Sequence, residues 1–183
     1  MTLSYSGTTP TDVDPEELSV FFVYGTLCRG QCRERCWPIE PLAVHPAWVT
    51  GTLYGRDDYP AMTAGDQRVG GECWFYHRTD ANRVTKVLDE IEVTNQPGQP
   101  NLYDRVRVTA TLLHSDKLLH SDMRLAGQRD LPGRQAPGTW SASTYHYSTD
   151  PMRDGFSEIC PGETPWGNLA VWPPEKWRIE RDI

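Results

Sequence analysis

The sequence predicts an α+β fold in which a compact, barrel-like sheet carries most of the core. Short segments of strand length, either apolar throughout or alternating, recur along the chain, whereas a single segment has the apolar spacing of an amphipathic helix. The chain of 183 residues is long enough for one domain with a real core and leaves little room for two. Its seven tryptophans indicate a packed core or an aromatic-walled cavity.

The first strand is predicted at residues 18–24, LSVFFVY, an apolar run that ends at Gly25. Its length and its Val and Phe content indicate a strand that is buried on both faces. Residues 1–17 before it are polar, and we expect a mobile leader there. After it, residues 30–36 (GQCRERC) favour a short helix that stops before Pro38.

Two further strands are predicted before the helix. Residues 43–53 indicate an irregular strand, because Pro46 and Gly51 interrupt its apolar residues. Residues 69–77 (VGGECWFYH) are predicted as the next strand, with glycines at its start.

An amphipathic helix is predicted at about residues 81–91, with Thr79 or Asp80 as its N-cap. Its apolar residues recur at spacings of three and four: Val84, Val87, Leu88 and Ile91. Three acidic residues crowd its C-terminal end, where a negative charge opposes the helix dipole: Asp89, Glu90 and Glu92.

This acidic cluster has two interpretations. It could be a solvated end of the helix. Alternatively, Glu92 borders the apolar stripe, and a carboxyl group beside apolar walls has a raised pKa and can exchange a proton near neutral pH. Glu90 should point off the stripe, and Asp89 is expected to be structural, capping the helix or pairing with Arg105 or Arg107.

The clearest alternation lies in residues 103–113, and a last strand of the core is predicted at residues 141–147. Between them, LLHSD occurs twice in succession, and residues 114–138 are predicted to be an inserted loop. Residues 149–183 form a tail with many Pro and Gly residues and several tryptophans, which we expect to pack on the core or on a partner. The domain proper is therefore predicted at residues 18–148.

The turn at residues 24–27 is a candidate binding element. A buried strand that ends in a glycine turn can expose consecutive backbone N–H groups, which bind an anion or a developing oxyanion without a charged side chain. The alternative is an ordinary turn between a strand and a helix. The G-x-x-x-x-G-K pattern of a phosphate-binding loop is absent from the sequence.

Composition argues against several classes of function. The net charge is −7 and no basic tract interleaves with aromatics, so nucleic-acid binding is not expected. No segment approaches about 20 consecutive apolar residues, and no secretory signal is recognisable, so we expect no membrane association and a cytoplasmic location. The sequence has no zinc-protease helix and no nucleophile elbow.

The cysteines leave one alternative open. Cys28, Cys32 and Cys36 recur every four residues and would share a helix face, as in a metal or redox site, but no His or fourth Cys lies nearby at ligand spacing. Reduced cysteines of a cytosolic protein are the simpler interpretation. We therefore expect no stoichiometric metal.

Five motifs, in order, resemble the γ-glutamyl cyclotransferase-like family. The stretch FFVYGTLCRGQ is similar to the opening of the family, whose first strand ends in Y-G-[ST]-L, and its Arg-Gly-Gln resembles the γ-glutamylamine cyclotransferase branch. The other motifs are G-x-L-Y…Y-P-A-[LM] at residues 51–62, V-x-G-E-[VL]-[YW] at 69–74, L-D-x-x-E at 88–92 and Y-x-R at 103–105. The resemblance covers about residues 20–148.

The resemblance implies a small mixed β-barrel with flanking helices and a cavity floored by the 24–27 turn. Glu92 would be the general acid/base of an intramolecular aminolysis that converts a γ-glutamyl amide into 5-oxoproline and a free amine, as in an acyltransferase or lyase. This reaction would need neither a metal nor an organic cofactor. The substrate-binding residues implied are Tyr24, Gly25, Thr26, Leu27 and, unless it only packs in the core, Tyr103.

Two features of this sequence depart from the family pattern. Many members have Gly after the catalytic glutamate, where this chain has Val93, and the connection from Glu92 to Tyr103 is long. A non-catalytic small-molecule-binding module on the same fold is the alternative function. The sequence leaves the leaving amine and the oligomeric state open.

Overall fold

The computed structural model describes residues 15–113 and 138–177. The predicted leader up to residue 14, the predicted insertion up to residue 137 and the last six residues of the tail, 178–183, lie outside the described residues. The strands are β1 (Leu18–Val23), β2 (Ala43–Gly55), β3 (Pro60–His77), β4 (Tyr103–Leu112), β5 (Thr139–Tyr147), β6 (Ser157–Glu158), β7 (Gly162–Thr164) and β8 (Gly167–Leu169). The α-helix is α1 (Ala81–Ile91), and short 3-10 turns lie at Pro15–Glu17, Glu34–Cys36 and Arg78–Asp80.

The main sheet closes into a barrel. Its strands follow the order β3-β1-β5-β4-β2-β6, and the pairing of β2 with β3 closes the first five into a ring, with β6 added at the edge of β2. The β1–β5 pair is parallel and the other pairs are antiparallel, so the barrel is mixed. The predicted α+β fold with a small mixed β-barrel is confirmed, with α1 as the α-helix of the described residues.

Strand β3 begins much earlier than predicted, at Pro60 instead of Val69. Residues 60–63 pair with the second half of β2, and the register between the two strands shifts between Gly51 and Thr52. Such an irregularity bends a strand and increases its twist, which a closed barrel requires. The sequence pattern missed this part because polar residues with Gly65 separate it from the apolar run.

The helix predicted at residues 30–36 is wrong. Within this segment only Glu34–Cys36 is helical, as a 3-10 turn, and Gly30 has a φ of 76°, which an α-helix does not allow. Cys28 is buried while Cys32 and Cys36 are exposed, so the three cysteines do not share a face. Among the described residues no cluster of His, Cys, Asp and Glu could hold a metal ion.

Helix α1 has the bounds that the apolar spacing predicts, and Val84 and Leu88 are fully buried. The predicted side-chain cap is wrong. Asp80 occupies the N-cap position but makes no capping hydrogen bond. The 3-10 turn Arg78–Asp80 leads directly into the helix and gives Asp80 helical backbone angles, φ −92° and ψ −10°, instead of the extended ones of a capping residue.

Strand β1 is buried on both faces, as predicted. One face, with Val20 and Phe22, joins a cluster built from the barrel strands, and the other, with Phe21 and Val23, joins a second cluster that includes α1. This double burial places the end of β1 between the two clusters. The site described below lies there.

The C-terminal segment returns to the barrel. The backbone of Ala170 bonds to Gly70 and Arg68 of β3 at 2.8 Å each, and Trp172 packs against the barrel cluster. No helix among the described residues is long and apolar enough to cross a membrane.

Two fully buried threonines give a matched test of the core. Thr94 Oγ1 donates to the carbonyl of Tyr103 at 2.7 Å, whereas Thr144 Oγ1 has no hydrogen-bond partner among the described residues. Thr94→Val should lower the free energy of unfolding by about 1–2 kcal/mol, while Thr144→Val should raise it by up to about 1 kcal/mol, because a buried unpaired hydroxyl is destabilising. Urea unfolding measures both, and shifts of the same sign would contradict the assignment.

Candidate active site

A cavity of about 140 Å³ lies where the end of β1, the end of α1 and strands β4 and β5 meet. All of the site residues predicted from the sequence line it: Tyr24, Gly25, Thr26, Leu27, Glu92 and Tyr103. The other lining residues are Phe22, Val23, Arg33, Tyr59, Pro60, Ile91, Val93, Leu102, Thr144 and Tyr145. The cavity is smaller than the pockets of about 300–1,000 Å³ that hold drug-sized ligands, so it suits a small acyl group.

The 24–27 turn presents consecutive hydrogen-bond donors. The carbonyl of Gly25 accepts from the N–H of Cys28 at 3.0 Å, and that of Thr26 accepts from the N–H of Arg33 at 2.9 Å. The N–H of Gly25 is directed at the Sγ of Cys28, whereas no hydrogen bond is found among the described residues for the N–H of Thr26 or Leu27. These unpaired amides can bind an anion or a developing oxyanion.

Glu92 is the acidic residue of the cavity. Its backbone N–H bonds to the carbonyl of Leu88 at 2.9 Å, so the side chain is held at the C-cap of α1. Burial raises the pKa of its carboxyl group to about 7, although the positive charge of Arg33 works in the opposite direction. Among the described residues the carboxylate has no hydrogen-bond or ion-pair partner, which leaves it available to a ligand.

Asp89 fixes the end of α1 against the barrel. Its carboxylate accepts two hydrogen bonds from Nη1 of Arg105, at 2.8 and 3.0 Å, and one from the hydroxyl of Tyr145 at 2.7 Å. The predicted pairing of Asp89 with Arg105 is confirmed, while Arg107 bonds to serines of β5. Because Glu92 follows Asp89 by less than one helical turn, these contacts position its carboxylate.

Two tyrosines of the cavity stabilise its walls through hydrogen bonds to the backbone. The hydroxyl of Tyr103 donates to the carbonyl of Pro60 at 2.6 Å, and that of Tyr24 donates to the carbonyl of Tyr145 at 2.7 Å. Burial raises the pKa of both phenols above the ordinary value, so both remain protonated donors at neutral pH. Tyr103 belongs to the buried core as well as to the cavity wall.

Val93 has a φ of 53°, in the left-handed region that disfavours β-branched residues. A glycine at this position would have no such strain. Val93→Gly should therefore be more stable than Val93→Ala by about 1 kcal/mol, the reverse of the order in a helix or strand. Thermal unfolding of the two variants tests this, and the ordinary order, Ala above Gly, would contradict the strain.

Sequence reasoning missed several lining residues. Arg33 lies in the segment predicted as a helix, and Thr144 lies in a strand whose pattern records only burial. Tyr59 was part of a matching motif without an assigned role. No local signal marks these positions, because they reach the cavity only through the closure of the barrel.

The family model described as γ-glutamyl cyclotransferase, AIG2-like, matches residues 21–155. The chain belongs to this family. The match spans β1 to β5 and contains the 24–27 turn, Glu92 and Tyr103. Comparison with curated proteins by sequence found no match.

Several solved structures resemble this chain at low sequence identity. A mouse AIG2-like protein has a TM-score of 0.50 at 17% identity, over 78% of this chain and 86% of its own, which shows a shared fold. A protein of Arabidopsis thaliana has a TM-score of 0.46 at 18% identity, over 74% of each chain. A yeast γ-glutamyl cyclotransferase specific to glutathione has a TM-score of 0.41 at 13% identity, over 87% of this chain and 74% of its own.

Proposed function

We propose that this protein is a γ-glutamyl cyclotransferase that releases 5-oxoproline and a free amine from a γ-glutamyl amide. The supporting observation is that one small cavity holds both an unpaired carboxylate, on Glu92, and the unpaired amides of Thr26 and Leu27. The first group can move a proton, and the second can hold negative charge on oxygen. Membership of the family supports the same reaction.

In this mechanism the α-amine of the γ-glutamyl group attacks its own γ-carbonyl carbon. Glu92 removes the proton from the α-ammonium, and the amides of Thr26 and Leu27 stabilise the oxyanion of the tetrahedral intermediate. Collapse of the intermediate breaks the original C–N bond, and Glu92 returns the proton to the departing amine. The reaction is intramolecular, so holding the glutamyl group in a bent conformation supplies a large part of the rate.

A substrate panel tests the proposal. The purified protein is incubated separately with γ-glutamyl amines, γ-glutamyl dipeptides and glutathione, and 5-oxoproline is quantified by mass spectrometry. We expect 5-oxoproline to form in an equimolar amount with the free amine. The resemblance of Arg29-Gly30-Gln31 to the γ-glutamylamine branch predicts that γ-glutamyl amines react fastest. Binding of these compounds without turnover would instead indicate a non-catalytic module.

The pH dependence of catalysis should report Glu92. The residue must be ionised to accept a proton from the substrate ammonium, and burial raises its pKa to about 7. kcat/KM should therefore rise from pH 6 to 8 with an apparent pKa of about 7. A profile that is flat above pH 5 would contradict the assignment, since it would require a carboxylate with an ordinary pKa.

A further inference from the structure

The C-terminal segment, residues 170–177, reaches the underside of the active-site turn. It is anchored on β3 by the backbone of Ala170, and Trp172 Nε1 donates to the carbonyl of Arg56 at 3.2 Å. Beyond these contacts lies Lys176, whose side chain is 13% exposed. This segment includes tryptophans of the tail, whose role the sequence does not reveal.

Lys176 forms a buried ion pair with β3. Its Nζ lies 3.0 Å from Oε1 of Glu72, whose side chain is 4% exposed. Burial works to lower the pKa of Lys176, but Cys28 and Glu72 raise it above the ordinary value, so the ammonium group stays charged. Breaking such a pair by removing one partner leaves the other charge buried without compensation.

The second oxygen of Glu72 holds the main chain that follows the 24–27 turn. Oε2 accepts from the backbone N–H of Arg29 at 2.9 Å and from Nε1 of Trp74 at 3.2 Å. Lys176 therefore acts on the main chain after the turn through this carboxylate and also approaches the side chain of Cys28, although neither Lys176 nor Cys28 lines the cavity.

Two tryptophans complete this support. Nε1 of Trp37 donates to the carbonyl of Leu27 at 3.0 Å, and the Trp37 ring stacks on that of Trp74, with centroids 4.4 Å apart and planes at 10°. The peptide planes after Leu27 are thus held by side chains that all connect to Glu72. The first of these planes also carries the N–H of Cys28, whose bond to the carbonyl of Gly25 at 3.0 Å links it to the turn.

We infer that Lys176 is a positioning residue of the active site, which holds the Glu72 carboxylate in place and thereby keeps the 24–27 turn with its amides directed into the cavity. Without the ammonium group, Oε1 of Glu72 loses its ion-pair partner and the buried carboxylate turns towards water. In that orientation Oε2 no longer accepts a well-aligned hydrogen bond from the N–H of Arg29. The catalytic consequence rests on the proposed function, whereas the effect on the turn does not.

The test compares Lys176→Met, the double variant Lys176→Met/Glu72→Gln and Arg153→Met, with folding checked by circular dichroism. Lys176→Met should lower kcat by about tenfold or more with little change in KM, because misdirected oxyanion donors weaken transition-state binding. The double variant should restore most of the lost kcat, since Gln is a neutral acceptor for Arg29. Arg153→Met removes an exposed ion pair with Asp150 and should leave kcat unchanged.

Amide hydrogen exchange separates this inference from the proposed function. In Lys176→Met, the amides of Cys28 and Arg29 should exchange about tenfold faster or more, while those of β1 keep the wild-type rate. If the wild-type protein forms no 5-oxoproline, the proposed function fails and exchange alone decides the role of Lys176. Unchanged exchange at Arg29, or equal acceleration throughout the chain, would overturn the inference, and so would a fully active Lys176→Met protein.

Discussion

Glu92→Gln is expected to lower kcat for 5-oxoproline formation by about 10²–10⁴-fold, the usual contribution of a general acid/base. The amide has nearly the shape of the carboxyl group but cannot accept the proton of the α-ammonium. KM should change little, because the amides of Thr26 and Leu27 and the cavity walls remain. Steady-state kinetics with the best substrate of the panel measures both constants.

The same substitution should stabilise the fold above neutral pH. Because the pKa of Glu92 is raised from 4.5 to about 7, the folded protein binds the proton more tightly than the unfolded chain does. The free energy of unfolding of the wild type therefore falls as the pH rises from 4.5 to 7, by up to about 3 kcal/mol. The decrease is smaller if water reaches the carboxylate. The stability gain of Glu92→Gln over the wild type should thus grow between pH 4.5 and 7 and then level off.

Glu90→Gln provides the matched control for both effects. Glu90 lies at the same end of α1 but is exposed, so its substitution should alter neither kcat nor the pH dependence of unfolding. Retention of full activity by Glu92→Gln would exclude Glu92 as the general acid/base. Equal losses in the two variants would instead point to the helix end as a whole.

Gly25→Ala is expected to be the most damaging substitution in the active-site turn. A Cβ at this position would lie 2.6 Å from Cγ and 2.9 Å from Cδ of Pro60, so either the turn or the cavity wall must move. Loss of an oxyanion donor lowers kcat by about 10²–10³-fold in other enzymes, and we expect a comparable loss here. Overpacking should also lower the free energy of unfolding by about 1–3 kcal/mol.

Gly162→Ala is the control for this prediction. A Cβ at Gly162 would meet nothing within 4 Å, and the residue lies outside the left-handed region. Its substitution should therefore leave kcat and stability unchanged. Kinetics at a temperature where both variants are folded gives the comparison. A Gly25→Ala protein with wild-type kcat would contradict the close approach of the turn to Pro60.

The spacing of apolar residues predicts correctly those strands and helices whose buried faces are marked by their own residues. Strand β1 is apolar on both faces, and α1 has the bounds that its apolar stripe predicts. The prediction of a helix at residues 30–36 is wrong because it rests on residues of high helix propensity. The conformation of this segment depends instead on Gly30, whose φ is positive. The sequence pattern does not reveal the first part of β3, because polar residues with Gly65 separate it from the apolar run and its pairing with β2 lies beyond a shift in register.

Residue patterns alone predict the strand-rich fold, the order of the family motifs and the two parts of the candidate site, the 24–27 turn and Glu92. Three features are visible only in the folded chain: the shared cavity of these two parts, the contact of Asp89 with Arg105 and the ion pair of Lys176 with Glu72. This division arises because a residue pattern records which side of an element is buried, but not which element covers it. The elements that meet are set by pairings between strands distant in sequence, β1 with β5 and β2 with β4.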